Sequence, residues 1–155
     1  MRGSRGERPK AHGKFLYAGE KKIYVRGVTY GTFAPSTEGA EFPPPPVVER
    51  DFASMAEAGV TAVRTYTVPP RWLLDAAQRH GLRILVGLAL ERAVGYLADR
   101  REAPHFERIA REGVGACAGH PAVLAYAIAN EIPASIVRWH GQRTIERFLA
   151  RLCEA

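Results

Sequence analysis

The 155 residues, 46% hydrophobic and 25% charged, are enough for one globular domain with a sizeable core and exclude a disordered or fibrous chain. The longest apolar run, residues 84–90, is far short of a membrane span; MRGSRGERPKAH lacks the apolar segment of a secretory leader, and Cys117 and Cys153 alone make no disulfide framework, which together point to a cytoplasmic protein. The net charge of +6 gathers in the first 22 residues, where seven Lys or Arg meet only Glu7 and Glu20; this fits a solvated basic tail over 1–13 better than a nucleic-acid surface, and no nucleic-acid partner is expected.

From Lys14 the chain enters what is expected to be a single domain over 14–155. Two β-rich runs around Gly19–Lys22 predict a short hairpin leading into a first strand at 23–28. The breaker EFPPPP (41–46) prepares a helix carrying Val48, Phe52, Met55 and Ala56 on one stripe and closing at Gly59. TAVRTY (61–66) predicts a second strand, and Pro69-Pro70 opens a helix that ends at Gly81. RILVGLAL is a nearly continuous apolar run and predicts a third strand at 83–89; a helix with Phe106, Ile109, Ala110 and Cys117 follows. A fourth strand at 123–129 precedes the loop NEIPASIVRWHG and a last helix with Ile145, Phe148, Leu149 and Leu152. Four β-α units with continuous apolar strands imply a parallel sheet covered by helices. Both a complete doubly wound domain and the first half of a (β/α)8 barrel, whose whole runs to about 250 residues, fit that alternation.

In either fold, polar residues at the carboxyl ends of the strands are the ones to read for function: Thr29, Tyr30 and Thr32, then Arg64, Thr65 and Tyr66, then Glu91 and Arg92, and finally Asn130 and Glu131. The histidines share no metal-ligand spacing, neither cysteine lies in a CxxC pair, and GVGACAG follows a helix instead of a strand, so no metal or cofactor is expected. The absence of a phosphate loop weighs against a doubly wound domain binding a phosphorylated ligand.

HPAVLAYAIANEIP (120–133) resembles the fourth strand of clan A glycoside hydrolases, retaining glycosidases built on (β/α)8 barrels. KFLYAGEKKIYVRGVTYGTF (14–33) is similar to the hairpin and first strand that open the catalytic domain of glycoside hydrolase family 2, and DFASMAEAGVTAVRTY (51–66) to its first helix and second strand. GVTYGTFAP, VRTYTVPP and NEIPASIVRWHG look like the glycosidase-like domains that can be joined to a family 2 glycosyltransferase. The resemblance implies the first half of a (β/α)8 TIM barrel, about four β-α units preceded by a short β-hairpin. It implies Glu131 as general acid/base, Asn130 as donor to the sugar 2-hydroxyl, and Arg64 beside a nucleophile that stands on strand seven of a further half. Tyr30 and Tyr66 are candidates for the same sugar site, Trp139 could stack on a sugar ring, and Glu91 is the other carboxylate at a strand end. A carboxyl at the rim of an apolar sheet is expected to be partly withdrawn from water, which favours the protonated form an acid needs. A carbohydrate substrate is the expected partner, together with a missing carboxyl-terminal half or self-association through open sheet edges. The alternative is a non-catalytic carbohydrate-binding or accessory half-barrel associated with a glycosyltransferase.

Overall fold

The computed structural model describes residues 7–36, 39–90 and 103–154. It opens with a three-stranded antiparallel sheet of β1 (Pro9–His12), β2 (Phe15–Ala18) and β3 (Lys21–Ile23). Pro9–His12 were expected in the basic tail, but Gly13, at a φ of 59°, folds them back onto β2, where Lys10 pairs with Tyr17 and His12 with Phe15. The first strand expected at 23–28 is split as well. Thr61 on the far side of the next helix takes the chain in hand: its hydroxyl donates to the Tyr24 carbonyl at 3.1 Å and accepts from the Arg26 amide at 2.9 Å, while Arg26 Nε donates to the Gly59 carbonyl at 2.7 Å. Those groups are then spent on a crossing between two sheets, and the parallel strand starts only at Gly27.

The second sheet contains β4 (Gly27–Thr29), β5 (Ala62–Thr65), β6 (Arg83–Gly87) and β7 (Val123–Ala127), all parallel and in the order β4-β5-β6-β7. Sequential order without a switch point excludes the doubly wound arrangement and, with right-handed crossovers, puts the connecting helices on one face. These are α1 (Pro45–Glu57), α2 (Arg71–Arg79), α3 (Ala103–Cys117), the short α4 (Ala134–His140) within the predicted loop, and α5 (Gln142–Glu154). Prolines start several of them: Pro44, Pro70 and Pro133 hold extended backbone just before the first turn of α1, α2 and α4. Gly59 and Gly81, at φ of 81° and 73°, reverse the chain after α1 and α2 where a side chain would be strained.

The core lies between sheet and helices. Val63, Thr65, Ile84 and Val86 of the central strands are fully buried against Val48 and Phe52 of α1 and Leu73, Leu74 and Ala77 of α2. Each such aliphatic side chain contributes about 1.5–3 kcal/mol by leaving water. The strand alternation sends the other residues to the opposite face, which stays open: Val28 is 40% exposed, Leu85 and Leu124 are half-buried, and Ala125 is exposed. Here β7 carries a bulge. Ile84 pairs with Val123 but Leu85 pairs with Ala125, leaving Leu124 as an extra residue. Val123 and Tyr126 therefore both face the helices, three positions apart, with the Tyr126 hydroxyl donating to the Val114 carbonyl of α3 at 3.4 Å.

Two polar ties fix the helices. Glu49 of α1 meets Arg79 Nε at 3.1 Å and His80 Nε2 at 2.6 Å, and these partners hold its carboxyl below the ordinary carboxylate range. His120, almost wholly buried, accepts the Ala122 amide on Nδ1 at 3.1 Å, so the proton sits on Nε2, which donates to Asp75 of α2 at 3.0 Å.

Candidate functional site at the carboxyl ends of the strands

At the carboxyl edge of the parallel sheet, Arg64 at the end of β5 donates from Nη2 to the Asn130 Oδ1 beyond β7 at 2.5 Å. Its guanidinium carbon stands 4.8 Å from the centre of the Tyr66 ring, within range of a cation–π contact. Arg64 and Tyr66, two residues apart, thus turn to the same side, and β6 runs close against the backbone of this turn. Gly87 has no side chain because a Cβ there would come within 2.5 Å of the Thr65 carbonyl oxygen and also meet that of Tyr66.

The chemistry left open by these contacts is specific. Because Asn130 spends its amide oxygen on Arg64, its two N–H groups remain to donate to a ligand hydroxyl. Arg64 Nε is buried and has no hydrogen-bond partner among the described residues, so a donor is left waiting for an acceptor. Glu131 follows Asn130 directly, on the same edge. Its side chain is exposed, so the expected withdrawal from water is absent in these four units.

The other candidates fall elsewhere. Tyr30, expected in the same site, lines a cleft at this edge together with Tyr66, but most of its ring is buried under α1, edge-to-face on Phe52 at 5.3 Å, and its hydroxyl donates to Asp51 at 2.8 Å. Burial first, and then the Asp51 carboxylate, push its phenol far above the ordinary tyrosine value. Trp139 lies on α4 and is 84% exposed, with no hydrogen bond or ring contact to Arg64, Asn130 or Glu131. Glu91 and Arg92 lie outside the described residues. One feature escaped the sequence reading: Phe33, Glu41 and Phe42 join Tyr30, Tyr66 and Thr67 in a shallow cleft. Its only signal was the aromatic content of the loop between the first strand and α1.

Comparison of the sequence with known protein families finds no match, and no curated protein matches it significantly. Solved structures do match in fold. A β-glucuronidase of Bifidobacterium dentium, in complex with coumarin-3-O-glucuronide, superposes with a TM-score of 0.72 at 16% identity over 96% of this chain and 24% of that one. A β-glucuronidase from Ruminococcus gnavus bound to a C6-substituted uronic isofagomine gives 0.67 at 16% identity, covering 94% and 25%. Saccharomyces cerevisiae Gas2p in complex with laminaripentaose gives 0.58 at 18% identity, covering 79% and 30%. The chain spans about a quarter to a third of the proteins it matches. With four parallel β-α units in sequence order, it has the fold of the first half of a (β/α)8 barrel.

Proposed function

We propose that this chain supplies half of the active site of a retaining glycosidase of the family 2 kind, acting on the O-glycosidic bond of a β-glycoside or β-glucan. The observation that carries this reading is the Arg64–Asn130 hydrogen bond immediately before Glu131, which leaves the Asn130 amide donors and Arg64 Nε unused on one edge. Glu131 acts as general acid, giving its proton to the leaving oxygen as a carboxylate from strand seven of the complementary half attacks the anomeric carbon. Glu131 then takes a proton from the water that releases the sugar. The two carboxyls must stand about 5–5.5 Å apart, a spacing that only a closed barrel can set. Asn130 donates to the sugar 2-hydroxyl, and Arg64 holds the nucleophile ionised through its free Nε. The exposure of Glu131 supports a second reading, a half-barrel that binds carbohydrate, as an accessory to a glycosyltransferase, without cleaving it.

The test is turnover of aryl β-glycosides by the chain alone and by the chain joined to four further β-α units that carry a strand-seven carboxylate. Alone, it should be no faster than its Glu131→Gln variant. In the joined protein, Glu131→Gln should lower turnover by about 10²–10⁴, the usual share of general acid–base catalysis. Clear Glu131-dependent hydrolysis by the 155 residues alone would overturn the half-site reading. Binding without turnover in the joined protein would favour the second one.

A further inference from the structure

The amino-terminal sheet carries a surface that the glycosidase reading leaves unused. In β1–β3, the pairs Lys10–Tyr17–Lys22 and His12–Phe15 set one face, and Tyr24 follows Lys22 on the same side. The Lys22 ammonium stands 3.0 Å from the centre of the Phe15 ring and 5.1 Å from that of Tyr24, and the Lys14 ammonium stands 5.6 Å from Phe15. Apolar surface is exposed beside them: Phe15 is 40%, Tyr24 68% and Val25 50% exposed. Lys10 and Lys22 stand on this face with Lys14 in the turn beside it, Lys21 alternates to the other face, and among the described residues none of these lysines is in an ion pair. Even with Glu7 and Glu20 in the same segment, ammonium groups outnumber carboxylates there, repel one another and are relieved by an anionic partner.

We propose that this face docks on an anionic lipid surface. A nucleic-acid base or a sugar ring would need a free aromatic face, but the Phe15 face is covered by its own lysines. What stays open is a set of ring edges, the Val25 side chain and ammonium groups, side by side. That mixture suits the boundary between headgroup phosphates and acyl chains, where lysine stems lie along apolar surface and their heads meet the phosphates. The sheet is tied through Arg26 and Thr61 to the amino-terminal end of β5, at the opposite end of the parallel strands from Asn130 and Glu131.

Co-sedimentation of the full chain with phosphatidylcholine vesicles containing about 30% phosphatidylserine tests this, at low salt and at about 0.15 M salt. The chain should bind these vesicles, more weakly at the higher salt, and leave pure phosphatidylcholine vesicles unbound. Lys10→Gln with Lys22→Gln should cost about thirtyfold in partition, near fivefold for each lysine, while Arg71→Gln with Arg143→Gln, equal in charge change but elsewhere on the surface, should cost little. Tyr24→Ser, which leaves the charge intact, should cost several-fold, with an unchanged circular dichroism spectrum in every variant. Equal partition onto neutral vesicles would overturn the proposal, as would an equal loss in the arginine pair. Release from the vesicles by single-stranded DNA or a polyuronate at matched charge would also overturn it and assign the face to a soluble polyanion.

Discussion

Tyr30 shows how one side chain can serve the core while it lines a cleft at the site's edge. The parallel strand ends at Thr29, and the ring that follows drops beneath α1 to donate to Asp51. Its raised phenol value means that the folded chain prefers the protonated form. That preference is fully present below about pH 10, where an unfolded tyrosine titrates, and is lost as the pH climbs above it. Tyr30→Phe should therefore cost about 1–2 kcal/mol at neutral pH, read from denaturant midpoints, and the cost should shrink as the pH rises above about 10. The meeting of Arg64 with Asn130 was legible because each stands at the end of an apolar run, where alternation and strand direction fix its place. The burial of Tyr30 was not, since the turn after Thr29 depends on packing against Phe52, more than twenty positions ahead.

At the level of elements, apolar period and proline placement located the parallel strands and the helices that cover them. What they missed were tertiary choices: the split of the first strand by the Thr61 hydroxyl, and the pairing of the expected tail as β1. His120 is the clearest tie between elements, joining the entry to β7 with α2 through Asp75. Replacing it leaves the buried Ala122 amide without an acceptor and opens a space behind the strand. His120→Ala should lower stability by about 2–3 kcal/mol in urea unfolding, and Asp75→Asn, which keeps an acceptor for Nε2, should cost less than about 1 kcal/mol. A comparable loss in both variants would mean that the charge of Asp75, and not the hydrogen bond, holds the two elements together.

For the molecule as a whole, the decisive property is that one face of the parallel sheet is open and that β4 and β7 each pair on one side only among the described residues. Strand edges with unused backbone groups are sites for further pairing. Amide hydrogen exchange should accordingly be slowest in β5 and β6, at Val63, Thr65, Ile84 and Val86, and fast in β4 and along the free edge of β7. Joining four complementary β-α units should slow both edges together. Slowing of one edge alone would indicate an extended sheet and not a barrel.

The extra residue in β7 makes that strand a device for counting. Along a regular strand, odd and even positions are inside and outside by turns, and Val123 and Tyr126 would lie on opposite faces. Leu124 changes the parity once, so that both stay with the helices and the strand reaches Asn130 in the phase that meets Arg64. A chain shortened by that one residue must give up either the Tyr126 anchor under α3 or the phase of everything downstream to Glu131. The fit between Asn130 and Arg64 thus depends on an arithmetic step six residues away, near the start of the strand.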